Sequence, residues 1–185
     1  MEPYHMLTQY ASMNKLIYSF VKKIDTGLIF IKKFTEFDNR TIYNVQQYLQ
    51  KNNKIKKYTS HKNIIKKAIM LYDGWIYGNT IYYKDTLSNK KLLSTLIHEY
   101  IHYIRKKEGK FMYNSSKNIF IEECIAELSS IYFINNIEDK YFIFDDNFLE
   151  NFINDIISDY NLNLTLESAR QLLDYILNEK LLYIY

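Results

Sequence analysis

The feature that most constrains the fold is the pentapeptide HEYIH at residues 98–102, which contains two of the four histidines in the 185-residue chain. Residues four apart lie one above the other on an α-helix, so a helix brings both imidazoles to one face. The apolar residues of the surrounding segment, 91–105, fill about half of a helical wheel, and both histidines fall in the other half. We therefore expect a helix whose histidine face lies against solvent or a cleft.

A second group of polar residues begins at Glu122, on a segment that also has a helical pattern. Glu123 and Glu127 lie one turn apart on one face, beside the small residues Ala126 and Ser130, which allow another helix to approach closely. Two acidic residues at this spacing repel each other, and no lysine lies within four residues of either one. A bound cation would remove that repulsion. Glu122 points about 100° away from Glu123 and is the second choice as a ligand.

Two imidazoles and one carboxylate are ligands typical of a catalytic zinc ion, which keeps a further position open for water. In the HExxH pattern the glutamate lies beside the metal and acts as a general base toward that water. We therefore predict a Zn²⁺ site with His98, His102 and Glu123 as ligands and Glu99 as the general base. The alternatives are a solvent-facing pair of histidines and an exposed acidic helix face, neither of which involves a metal.

The two segments together resemble the gluzincin metallopeptidases, the thermolysin-like group. In that group HExxH is followed on the next helix by a glutamate ligand, and four residues later by an acidic residue that orients the first histidine. The resemblance assigns the ligand to Glu123 and the orienting role to Glu127. The stretch between them is also similar to the Glu-x-x-Ala-Glu segment of the anthrax lethal factor and Pro-Pro endopeptidase type, whose spacing from HExxH is longer. The resemblance covers residues 74–134, roughly.

The resemblance implies a zinc-dependent endopeptidase that hydrolyses peptide bonds. Related enzymes often carry a phenol that stabilises the oxyanion, and Tyr113, in the loop before Glu123, is the candidate for that role. Gluzincins also commonly pair their substrate with an edge strand that precedes the active-site helix. Thr80–Lys84 occupies that position, so a peptide or protein substrate is expected to add to it by backbone hydrogen bonds. An aromatic strand that merely packs against helices is an equally good interpretation of these residues.

The rest of the chain predicts an α+β fold in a single domain over residues 1–185. Two β-rich runs, Trp75–Tyr77 and Thr80–Tyr83, are joined by Gly78-Asn79 as in a tight hairpin. Further β-rich or apolar runs lie at Leu28–Ile31 and Tyr141–Phe144. Helices are predicted at residues 4–24, 39–51, 62–72, 90–107, 119–134, 147–160 and 165–180, with approximate ends. We expect a small mixed sheet with an edge-strand hairpin packed on the active-site and glutamate helices, and a C-terminal helical subdomain, which the resemblance makes zincin-like.

The cysteine content and the absence of targeting signals indicate in which cellular compartment the protein is found. The one cysteine, Cys124, cannot form an internal disulfide, and the sequence has neither a recognisable signal peptide nor an apolar run long enough to span a membrane. We therefore expect a cytoplasmic protein with no membrane partner, and export by a route without a signal peptide stays open.

Two other functions compete with peptidase activity. One is a catalytically silent module that keeps the zincin fold and regulates or binds a partner, although the intact Glu99 argues against it. The other is nucleic-acid binding through residues 1–91, which contain 16 Lys and Arg against 6 Asp and Glu. No recognised nucleic-acid motif accompanies these lysines, so nucleic acid is not the favoured partner. The substrate sequence and the pathway are not encoded in any pattern of the chain.

Overall fold

A computed structural model describes residues 2–56, 59–137 and 144–183 of the chain. They form two compact units, of which the first ends at Glu99 and the second begins at Tyr100. The boundary lies inside a continuous helix, so the single domain predicted for residues 1–185 stays a prediction. Within the described ranges, no helix has both the length and the apolar character needed to cross a bilayer.

The α+β fold is confirmed, because a small mixed sheet accompanies the helices. The first unit contains α1 (Pro3–Tyr10), α2 (Lys15–Asp25), β1 (Phe30–Lys33), a short 3-10 helix (Phe34–Glu36), α3 (Asn39–Lys51), α4 (His61–Leu71), β2 (Gly74–Tyr77), β3 (Thr80–Tyr83) and the first part of α5 (Asn89–Lys107). The second unit contains the rest of α5, then α6 (Ser116–Ile137), α7 (Asp146–Asp159) and α8 (Leu166–Asn178). Of the predicted run Tyr141–Phe144, residues 141–143 lie outside the described residues.

Side-chain caps explain two helix starts near the N-terminus. The Asn14 side chain accepts hydrogen bonds from the backbone N–H groups of Leu16 and Ile17, which satisfies donors at the first turn of α2. The single helix predicted at residues 4–24 is therefore two helices. The Asp38 carboxylate accepts from the Thr41 N–H at 2.7 Å, so α3 begins where the sequence predicts.

The three strands are ordered β1–β3–β2, so β3 is the central strand. The predicted hairpin is confirmed, with Tyr77 paired to Thr80 and Gly78 at a φ of +63° in the turn. The prediction that Thr80–Lys84 forms an edge strand is wrong, because β1 pairs in parallel with β3 from Phe30↔Thr80 to Lys33↔Tyr83. β1 thus pairs with the edge of β3 at which a peptide substrate was expected to bind.

One buried apolar cluster of the first unit lies between α3, α4 and β3. Its fully buried side chains include Val45, Leu49 and Ile64, and the buried hydroxyls of Thr41 and Tyr82 lie 3.1 Å apart within hydrogen-bond distance. Each apolar side chain of this size contributes about 1.5–3 kcal/mol on burial, so the packing holds α3 and α4 on one face of the sheet.

The second unit has α6 at its centre. This helix is buried on nearly every side between Glu122 and Ser130, as expected for a helix in the interior rather than on the surface. α7 and α8 bury one apolar face each, with Ile153 and Leu173 almost fully enclosed. The chain after α8 returns to α6, where the Tyr183 N–H donates to the Ser129 hydroxyl at 2.9 Å. A C-terminal helical arrangement is therefore present as predicted.

Candidate metal centre

Helix α5 carries the HExxH pattern and has a defined cap at each end. The Ser88 hydroxyl accepts from the Lys91 N–H at 3.4 Å at its start. At its end Gly109 adopts a φ of +70°, the Gly109 N–H donates to the Lys106 carbonyl, and the Lys110 N–H donates to the Arg105 carbonyl at 2.8 Å. These two bonds form a Schellman motif, which fixes the direction in which the chain leaves the helix.

The polar half of α5 is enclosed rather than solvated. His102 is 5% exposed and Glu99 is 8% exposed, while His98 is half-buried. The Phe111 ring and the His102 imidazole form a T-shaped pair, with ring centroids 5.5 Å apart at an interplanar angle of 80°. The apolar half behaves as the wheel predicts, with Leu96, Ile97, Tyr100 and Ile101 fully buried.

The three predicted ligands lie together. His98, His102 and Glu123 each present one ligand atom, and the three atoms lie within 4.8 Å of one another. His102 Nε2 is 3.6 Å from Glu123 Oε1. Ligand atoms around a tetrahedral zinc ion are separated by about 3.3 Å, given bonds of about 2.0–2.1 Å. The three residues could therefore hold a metal ion, and their ligand types are those that zinc prefers.

Both oxygens of the Glu123 carboxylate accept hydrogen bonds from phenols. Tyr113, predicted as an oxyanion donor, donates to Oε1. Tyr160, which follows α7, donates to Oε2 at 2.6 Å. Tyr160 was not predicted, because nothing in the sequence distinguishes it among 19 tyrosines and it lies far along the chain from the glutamate helix. The two phenols fix the plane of a carboxylate that is only 2% exposed.

Glu122 has a partner of its own, on another face of α6. Arg105 Nε donates to Glu122 Oε2 at 2.6 Å and Nη2 donates to Oε1 at 2.8 Å, while the Met112 N–H donates to Oε1 at 3.3 Å. Burial lowers the pKa of Arg105, but the hydrogen bonds and charge of Glu122 outweigh it, so the pKa rises above its usual value. The bidentate pair explains why Glu122 is not in the ligand cluster, and it holds the loop that carries Tyr113.

Glu127 lies one turn after Glu123 on α6 and is half-buried. The adjacent Ser130 is fully buried and its hydroxyl donates to the Glu127 carbonyl at 2.9 Å. Its role in orienting an imidazole stays a prediction.

Gly74, at the start of β2, lies against Glu99. A Cβ added there would be 2.6 Å from Thr95 Cγ2 and 2.8 Å from Glu99 Oε1, closer than real side chains pack. Only glycine allows β2 to approach α5 this closely. The role of Gly74 was not predicted, although a glycine directly before a β-rich run is a signal of close approach.

No protein-family model matches the chain, and neither a curated protein nor a solved structure matches it. The likeness to gluzincins therefore depends on the residues of the site itself.

Proposed function

We propose that the chain is a zinc-dependent endopeptidase of the gluzincin type. The observation that carries this proposal is the cluster of His98, His102 and Glu123 ligand atoms within 4.8 Å. Glu99 belongs to the same turn of α5 as the two histidines, where a general base is required. Two imidazoles and one carboxylate leave room for water, which distinguishes a hydrolytic zinc site from a closed structural one.

A bound zinc ion would supply a Lewis acid that lowers the pKa of water toward about 7 and polarises a carbonyl. The Glu99 carboxylate takes a proton from the attacking water as the new C–O bond forms, and delivers it to the leaving amine as the C–N bond breaks. Its burial limits competition from bulk solvent. The Tyr113 hydroxyl, close to the cluster through its bond to Glu123, is the proposed donor to the oxyanion.

An extended peptide is the proposed substrate class. Because β3 is central, an added strand would pair with one of the two outer strands, β1 or β2, and β2 is the one whose Gly74 lies against Glu99. Gly74 brings this strand into contact with Glu99, so a peptide bound along β2 would lie near the general base.

Two substitutions on α5 test the proposal, with zinc measured by elemental analysis and turnover by mass spectrometry of a cleaved peptide library. Glu99→Gln should keep one zinc per chain and lose peptidase activity, because an amide cannot accept the proton. His98→Ala should lose both. If Glu99→Gln keeps more than a few per cent of wild-type turnover, the role of Glu99 is wrong.

Chelation provides the control for folding. Removing the metal should abolish cleavage and leave the helical circular dichroism, because a chain of this length buries a core that does not depend on one metal. Loss of helix on chelation would indicate a structural site. A wild-type protein that holds zinc and cleaves no library member would favour the silent zincin-fold module.

A further inference from the structure

We propose that the two phenols on Glu123 have different roles, an inference that rests on the proposed zinc site. Tyr160 is a positioning residue that holds Oε2 and thereby directs Oε1 to the metal. Tyr113 donates to Oε1, the oxygen that would bind the metal, and this hydrogen bond would weaken on metal binding. The Glu123 carboxylate would thus keep its hydrogen bond from Tyr160 when the metal binds, while its hydrogen bond from Tyr113 would weaken.

The assignment of the two oxygens follows from the distances. Oε1 is the oxygen 3.6 Å from His102 Nε2, so it faces the other ligands. Tyr113 donates to that same oxygen. A metal ion draws electron density from the oxygen it binds, which weakens the hydrogen bond there. Tyr160 donates to the other oxygen, Oε2, which stays a full acceptor after the metal binds.

The surroundings of Tyr160 suit a permanent support. It follows the last residue of α7, where Asn161 adopts a φ of +48° and the Leu162 N–H donates to the Ile157 carbonyl at 2.9 Å. The Asn163 N–H then donates to the hydroxyl of Ser116, the first residue of α6, at 3.1 Å. The chain around Tyr160 is therefore tied to the start of the helix that carries Glu123.

The surroundings of Tyr113 suit a releasable contact. It is half-buried in the loop between α5 and α6, with the exposed residues Met112 and Asn114 on either side. Its ring stacks on Phe111, with centroids 5.4 Å apart and planes 5° from parallel. Tyr160 is half-buried as well, so the two roles are distinguished by the carboxylate oxygen that each phenol contacts: Tyr113 donates to Oε1 and Tyr160 to Oε2.

The test compares three hydroxyl deletions, Tyr160→Phe, Tyr113→Phe and the control Tyr175→Phe. Tyr175 is on α8 and 52% exposed. Zn²⁺ affinity is measured by competition with a chromophoric chelator. Tyr160→Phe should weaken zinc binding about 10- to 100-fold, the usual loss when a residue that orients a ligand is removed. Tyr113→Phe should bind zinc as tightly as wild type or up to about 10-fold tighter, because the Tyr113 hydroxyl no longer competes with zinc for Glu123 Oε1. Tyr175→Phe should bind zinc with the wild-type affinity.

Cobalt loading gives a second measurement that a general loss of stability does not mimic. If Oε2 is released in Tyr160→Phe, both carboxylate oxygens can bind, the coordination number rises, and the visible absorption of Co²⁺ weakens. Tyr113→Phe should keep the wild-type spectrum. Circular dichroism of the metal-free variants checks that each one folds.

The outcomes separate this inference from the function it rests on. If wild-type protein binds zinc and Tyr160→Phe binds it equally tightly, the positioning role is refuted while the peptidase proposal stands. If Tyr113→Phe is the variant that loses zinc, the two roles are reversed and the inference fails. A wild-type protein that takes up no zinc refutes both.

Discussion

Replacing Glu122 by alanine removes one partner of an almost fully buried ion pair, in which the side chains are 9% exposed for Arg105 and 2% for Glu122. Alanine leaves the guanidinium without its two bonds to the carboxylate, and leaves the Met112 N–H without an acceptor. An uncompensated buried charge of this kind costs about 3–5 kcal/mol. In a chain of this length that cost corresponds to a fall in Tm of about 6–20 °C.

Urea denaturation of metal-free protein measures the cost directly. Zinc content should stay near one per chain, because Glu122 lies outside the ligand cluster. The double variant Arg105→Met with Glu122→Leu should recover most of the stability, since apolar residues of similar volume often replace a buried pair at little cost.

An exposed ion pair of the same unit provides the matched control. Arg170 and Asp146 lie 3.0 Å apart with side chains that are 48% and 90% exposed, so Asp146→Ala should cost no more than about 1 kcal/mol. If Glu122→Ala is destabilised no more than this control, the buried pair does not hold α6 and the loop as argued.

The remaining predictions concern other parts of the fold and the site. Gly74→Ala should cost about 1–3 kcal/mol in urea denaturation, because the new methyl would lie 2.6 Å from Thr95 Cγ2, and adding Thr95→Ser should restore part of it. Glu123→Ala should lose most of its zinc in elemental analysis, whereas Glu127→Ala should keep zinc with affinity or turnover reduced about 10- to 100-fold. The Thr41 N–H lowers the pKa of Asp38 below its usual value of 3.8. Wild type should therefore be more stable than Asp38→Asn at pH 7, and unfolding curves should converge as the pH falls below that value.

Local patterns along the chain predicted most of the helices and the hairpin. The cap at Asp38 and the turn at Gly78 act within a few residues, so their effects are visible in the sequence. The cap at Asn14 acts just as locally, but the break that it makes between α1 and α2 was not predicted. The same holds for His98 and His102, which the helical repeat places on one face. These features depend on short-range geometry, and the sequence specifies that geometry directly.

Long-range pairings were not predictable in the same way. The position of β3 at the centre of the sheet depends on which strand pairs with it, and the sequence of β3 alone does not encode that choice. Tyr160 reaches Glu123 only because α7 ends beside α6, and Arg105 pairs with Glu122 only because the end of α5 lies beside α6. Each feature that was not predicted involves residues that are distant in the sequence and are brought together by packing.

The parallel pairing of β1 with β3 has a consequence for the order of folding. The hairpin of β2 and β3 closes a loop of only two residues. The pairing of β1 with β3 brings Phe30 to Thr80 and must order the whole intervening chain, so its loop-closure entropy is larger. Long-range strand pairing is slow because its loop entropy is lost before its contacts form. β1 is therefore expected to dock late, so that substitutions in it speed unfolding and leave the folding rate nearly unchanged.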